Sequence, residues 1–498
     1  MSTTIVRTRY GKVAGKREGK VSVWKGIPYA APPINHLRFC PPMQLESWDG
    51  VREAKSFGPA AMQSEREIMK FMGDAPTNIS EDCLYLNVWS PGADTKQRPV
   101  MVWIHGGSFL SGSGSSSLYD GTSFAEQGDV VVVTINYRLG VFGFLHLAEM
   151  DGEKYATSGN CGLLDQVAAL KWVNENIEAF GGDPNKVTIF GESAGAISVG
   201  SLLTMPSAKG LFNQAILQSG SPSHLLNSEV ATKAAEILLS ELQIGKEELS
   251  KLESIPAEVL LKAAEDIPWM SLGPVIDGIS IPQQPEKALS EGFAKDISIL
   301  IGTTLDEWRL FTFFNPMWKQ INENELVKVF EQSLGPLWPE ISRYLLDEGE
   351  LNQALYEHMM TYNVFTFPAI HLSEIQIMQG TPVWMYRFDY QSTALDGVLK
   401  ACHGLEIPFV WKSITKSETE NLTGDAPERF KLANQMHRAW IAFAHTGNPN
   451  TLEVPDWPSY DLENRATMLF NVENEIVNDP DSEKRLIWKN ATEKLKVN

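Results

Sequence analysis

VTIFGESAGAISVG, residues Val187 to Gly200, is the stretch on which the reading of the chain turns. Val187-Thr188-Ile189-Phe190 is β-branched or aromatic and uncharged, which predicts a short buried strand. Gly191-Glu192-Ser193-Ala194-Gly195 follows, then a run of small residues able to start a helix. Between a strand and a helix, G-x-S-x-G makes a sharp turn that lifts a strained serine above a sheet, while the glycines let neighbouring elements approach. No other serine of the chain has glycine at both −2 and +2. The alternative for such a short motif is an ordinary glycine-rich turn.

Outward from this stretch, strand and helix patterns alternate. Leu84 to Trp89, Val100 to Ile104 and Asp129 to Ile135 read as strands, and the unbroken apolar run VMVWI suits burial on both faces of a sheet. Gly162 to Phe180 repeats apolar residues at helical spacing (Leu163, Val167, Leu170, Val173, Ile177), and Gly181-Gly182 stops it. Gln214 to Gln218, Asp296 to Gly302 and Val383 to Phe388 continue the strands. Arg429 to Thr446, with Phe430, Ala433, Met436, Trp440 and Phe443, reads as a last long helix. The first 30 residues suggest antiparallel strands, with Thr4 to Thr8 and Val21 to Lys25 alternating. The pattern predicts an α/β fold: one domain over 1–498 with a large, mostly parallel sheet flanked by helices and a small N-terminal antiparallel sheet. Helix-rich segments at 225–270 and 311–380 interrupt the strand series and are expected to form lid or regulatory insertions.

Bulk properties narrow the function. The chain has 498 residues, 43% hydrophobic and 21% charged, with a formal net charge of −20. That balance argues against nucleic acid, whose phosphates need basic patches, and against anionic membrane surfaces. No apolar stretch is long enough to span a bilayer, and the N-terminus lacks the apolar core of a signal peptide. Cys40, Cys83, Cys161 and Cys402 are widely spaced and form no C-x-x-C. Neither they nor the nine histidines suggest a metal site, and no cofactor is expected. The chain is expected to be a cytoplasmic monomer.

A serine hydroxyl needs a base within reach, and the base needs an orienting carboxylate. His105-Gly106-Gly107-Ser108-Phe109, directly after VMVWI, offers backbone N–H groups at Gly106 and Gly107 to a developing oxyanion. Ala194, next to the serine, offers another. His358, His371, His437 and His445 fall in helical stretches. His403, in Lys400 to Glu406 after the strand VWMYRF, sits in a loop suited to a base. For the acid, Asp306 and Glu307 lie at the carboxyl end of a strand, Asp277 and Asp389 are rivals, and the sequence physics does not separate the four.

Taken together, KGIPYAAPP, EDCLYLNVW at 81–89, WIHGGSF at 103–109, NYRLGVFGFL at 136–145, FGGDPNKVTIFGESAGA and CHGLEIPFVW resemble the type-B carboxylesterases. That family includes bacterial p-nitrobenzyl esterases and cholinesterases, and the likeness covers nearly the whole chain. It implies the α/β-hydrolase fold and a catalytic triad of Ser193, Glu307 and His403. It further implies oxyanion donors at Gly106, Gly107 and Ala194, with Glu192 and Ser219 beside the triad and ion pairs Arg38–Glu81 and Arg138–Asp165. The implied reaction is hydrolysis of a small carboxylic ester with water as acyl acceptor; carbamate, amide or lactone hydrolysis, transacylation, or a non-catalytic interaction module are the alternatives. Phe109, Met270, Leu272, Trp308, Phe311 and Phe314 are candidates to line the pocket or to belong to the ordinary core. Some positions depart from the family pattern. Trp308 replaces the usual glycine after the acid, and Asn35 replaces a glycine, which suits a positive φ. Cys83 is expected to stay reduced. Cys402, beside His403, is either a buried filler or a redox-sensitive thiol.

Overall fold

The structure is a computed structural model, and it describes residues 3–73, 75–150, 152–348 and 350–497. Among these, thirteen strands form one sheet. Its order runs Thr3–Arg7, Lys12–Glu18, Val21–Pro28, Tyr85–Ser90, Val131–Ile135, Arg98–Ile104, Gly182–Glu192, Gln214–Gln218, Ser298–Thr304, Val383–Phe388, Ala466–Phe470, Glu475–Asn478, with Val51–Glu53 beside the second strand. From Val131–Ile135 to Ala466–Phe470 neighbours pair in parallel, and the pairs at both ends of the order are antiparallel.

The continuous apolar strands are buried on both faces, as their sequence requires. Val100, Val102 and Ile104 pack into one core, while Met101 and Trp103 pack into the other. The helix Cys161–Asn176 covers the first face with Leu163, Val167, Leu170 and Val173. Arg429–Thr446 covers the second with Ala433, Met436, Trp440 and Phe443. Phe430 departs from the expected apolar stripe: it is exposed, with the Arg429 guanidinium 5.0 Å from its ring centre. Periodicity also left out the edge pair Ala466–Phe470 and Glu475–Asn478, and the helix Ser482–Val497 that follows Arg429–Thr446.

The parallel register aligns four carboxyl ends. Gly191 is level with Ile104, and Gln218 is level with both Glu192 and Gly302. The loops holding Gly106, Ser193, Ser219 and Glu307 therefore leave one edge of the sheet side by side, where open parallel sheets hold their ligands. Helices Ser228–Glu241 and Ala257–Ala263 occupy the first predicted insertion, and Glu323–Leu334, Trp338–Glu348, Gln353–Thr361 and Phe367–Met378 the second. No described helix is long and apolar enough to cross a membrane.

Two buried ion pairs fasten the loops that frame this edge. Arg138 Nη2 lies 2.7 Å from Asp165 Oδ1, with both side chains buried. Arg38 Nε donates to Glu81 at 2.6 Å, and its Nη1 donates to the carbonyls of Leu252 and Ile255. Asn35 has φ 54°, the left-handed conformation its place in the sequence suggested. Cys83 and Cys402 are free and buried, and burial raises both thiols far above their ordinary pKa.

Candidate active site

Ser193 sits at φ 57°, ψ −124°, between the strand Gly182–Glu192 and the helix Ala194–Leu202. Such a non-glycine conformation costs about 1–3 kcal/mol and persists only where its surroundings hold it. Its N–H donates to the Gln218 carbonyl at 2.9 Å, and its carbonyl accepts from Ile197 at 2.9 Å. The motif glycines are required by close approach. A Cβ at Gly195 would stand 2.0 Å from the Ile104 carbonyl oxygen, and one at Gly191 would stand 2.7 Å from that same atom.

The loop after Arg98–Ile104 presses against this turn. A Cβ at Gly106 would lie 2.7 Å from the Glu192 carbonyl oxygen and 3.1 Å from Ser193 Cβ. Gly107 has φ +109°, and a Cβ there would lie 2.1 Å from the Ser111 carbonyl oxygen. His105 is fixed by stacking on Tyr137, with ring centres 4.4 Å apart, and by a 2.8 Å contact from Nδ1 to the Gly106 carbonyl. Ala194 opens the helix, where the first N–H groups have no partner within the helix. Gly106, Gly107 and Ser193 line a common cleft, and Ala194 with Ser193 lines an adjoining one.

Of the four acid candidates, Glu307 is the one brought to His403. His403 Nδ1 lies 2.5 Å from Glu307 Oε2, and Glu307 Oε1 accepts the Thr304 N–H at 2.7 Å. Asp277 instead caps its own turn and binds Asn160. Asp306 faces Lys400 and the Ala401 N–H, and Asp389 pairs with Arg387. His437 Nδ1 donates to the Val410 carbonyl at 2.8 Å instead.

The electrostatics around His403 are unusual. Its Nε2 lies 3.1 Å from Glu192 Oε1. Burial alone would lower the imidazole pKa, but Glu192, then Glu307, then Glu406 outweigh it and raise it to about 9. Burial also raises Glu192 and Glu406, opposed at Glu192 by His403 and at Glu406 by the Gln218 amide. Ser219, expected as a hydrogen-bonding neighbour, is buried at φ 53°; among the described residues its hydroxyl has no partner, and its N–H donates to the Gly302 carbonyl at 2.8 Å.

Two clefts meet at Ser193. The larger encloses about 830 Å³ including its open mouth, and Phe109, Met270, Leu272, Trp308 and Phe311 line it. Phe314 does not: it is half-buried and packs on Phe71, ring centres 5.3 Å apart. The sequence reading missed Ile197, Leu225, Trp269 and Phe365 in this cleft. Phe365 lies in a π-helical turn, Tyr362–Thr366, and its ring centre is 5.0 Å from that of His403; a widened turn of this kind has no signature in apolar spacing. The smaller cleft, about 530 Å³, is lined by Glu192, His403, Ser108, Tyr119, Met72 and Arg66, among others. Among the described residues no three His, Cys, Asp or Glu side chains converge as a metal site.

The model of the carboxylesterase family matches residues 2–488. The chain is 45% identical over 493 residues to the para-nitrobenzyl esterase of Bacillus subtilis, covering 97% of this chain and 98% of that one. It is 35% identical to human cocaine esterase, covering 96% and 88%. Among solved structures, the carboxylesterase of Geobacillus stearothermophilus at pH 6.2 superposes with a TM-score of 0.90 at 49% identity, covering 97% of this chain and all of the other.

Proposed function

The chain belongs to the carboxylesterase family, with its α/β-hydrolase fold, and from that premise we propose that it cleaves carboxylic esters through an acyl-enzyme on Ser193. The observation that carries this reading is the 2.5 Å contact of Glu307 with His403 in the cleft that Ser193 lines. Glu307 holds the imidazole with Nδ1 protonated and leaves Nε2 to take the serine proton. Ser193 Oγ then attacks the ester carbonyl, and the N–H groups of Gly106, Gly107 and Ala194 receive the charge on its oxygen. The imidazolium gives its proton to the leaving alcohol. Water, activated by the same nitrogen, releases the acid and restores Ser193.

His403 also assigns the two limbs of the substrate. The leaving oxygen must reach its Nε2, and His403 lines the smaller cleft. The alcohol limb therefore lies with Glu192 and Tyr119, and the acyl limb in the larger apolar cleft under Trp269, Trp308 and Phe365. That volume and lining suit short to medium acyl chains. The segments 225–270 and 311–380, which contribute Leu225, Trp269, Phe311 and Phe365, act as a lid over it.

Turnover of p-nitrophenyl esters by wild type, Ser193→Ala and His403→Ala tests the reading. Each variant is expected to lose about 10³-fold or more in kcat. Near-wild-type turnover in either variant overturns it.

A further inference from the structure

Arg66 lines the smaller cleft together with His403, Glu192 and the glycine pair. It is half-buried, and among the described residues its guanidinium has no ion pair and no hydrogen-bond acceptor. The other arginines with buried side chains differ: Arg38, Arg98, Arg138, Arg429, Arg465 and Arg485 each face a carboxylate. A guanidinium that gives up hydration is normally compensated by an anion or by carbonyls. Here burial pulls its pKa down, and no neighbouring carboxylate pushes it back.

The cleft also carries apolar walls, Ile68, Met69, Met72 and Phe311, beside the polar Ser108, Tyr119 and Glu192. Such walls strengthen a charge pair by excluding water. The planar fork of donors matches a carboxylate in two parallel hydrogen bonds. A neutral alcohol limb gains less from this group, because a bidentate pair with an anion is stronger than a bond to a neutral acceptor.

We infer that Arg66 is a specificity-determining residue that recognises a carboxylate on the alcohol limb of the ester. The inference rests on the assignment of Ser193 and His403 as nucleophile and base, because His403 is what places the alcohol limb in this cleft. The substrate class is an acyl ester of a hydroxy acid. Hydrolysis adds water across the acyl–oxygen bond and releases a carboxylic acid and the free hydroxy acid, whose carboxylate is the group Arg66 holds.

The test compares 4- and 3-(acetoxymethyl)benzoate with their neutral benzamide counterparts, which share shape and leaving-group geometry. The readout is the anionic-to-neutral ratio of kcat/KM in wild type, R66Q and R66K. The expected result is a ratio that falls tenfold or more in R66Q for at least one isomer, mostly through KM, and is only partly restored in R66K, which keeps the charge and loses the fork. Calorimetric binding of 4- and 3-(hydroxymethyl)benzoate to wild type and R66Q reads the same site without turnover, and binding by at least one is expected to weaken tenfold or more. A ratio and a binding constant that R66Q leaves unmoved for both isomers overturn the role of Arg66. Loss of turnover of the benzamide esters by wild type would instead count against ester hydrolysis and leave the binding measurement to decide on Arg66.

Discussion

His403 Nε2 lies 3.1 Å from Glu192 Oε1, yet among the described residues neither atom has a hydrogen-bond partner. The imidazole thus faces one carboxylate through Nε2 and another, Glu307, through Nδ1. A base works only when unprotonated, and these carboxylates raise the His403 pKa towards about 9. The acid limb of kcat/KM should therefore lie above the ordinary imidazole value of about 6.5. Glu192→Gln removes the largest raising influence and should move the limb down by about one pH unit. A wild-type limb at or below the ordinary value, or an upward move in the variant, would contradict this.

Gly106→Ala and Gly107→Ala should fail differently. The added carbon at Gly106 meets Glu192 and the Ser193 side chain. It should cost about 10²–10³ in kcat by displacing one oxyanion donor, and its 2.7 Å approach to the Glu192 carbonyl oxygen should lower Tm less than the closer clash at Gly107 does. At Gly107 the carbon meets backbone at 2.1 Å in a conformation that disfavours side chains, so Tm should fall together with activity. Circular dichroism melts beside initial rates separate the two.

Arg138 and Asp165 are both buried, and Asp165 also accepts the Arg138 backbone N–H at 3.0 Å. Asp165→Ala strands a buried guanidinium and should destabilise the protein by about 3–5 kcal/mol. Urea unfolding of the variant checks the value; a loss within about 0.5 kcal/mol, the usual range for a surface substitution, would show that the pair is solvated.

Trp308 walls the larger cleft and stacks near Phe311, ring centres 4.9 Å apart. Trp308→Ala should shift the preferred acyl chain to longer members of a p-nitrophenyl ester series, at a stability cost of about 3–5 kcal/mol. An unchanged chain-length profile would remove Trp308 from the acyl wall.

Legibility in the sequence followed the physics of each element. Val100 to Ile104 and Val187 to Phe190 are buried on both faces, so apolar runs marked them. Ala466–Phe470 is just as buried but is a five-residue run with no motif beside it, and Glu475–Asn478 is a half-exposed edge. Gly106, Gly107 and Ser193 announce themselves because their backbone geometry demands particular residue types. Glu307 does not: Asp306 is one position away, and only the packing of the loop at 400–405 against that strand end decides between them. Arg66 and Phe365 reach the site through tertiary folding, and local pattern carries no trace of that.

The central claim is that Ser193 is the nucleophile. Labelling with a fluorophosphonate, followed by intact mass and peptide mapping, tests it most directly. One adduct per chain is expected, on Ser193, absent in Ser193→Ala and much slowed in His403→Ala. An adduct on another residue, or equal labelling of Ser193→Ala, would contradict it.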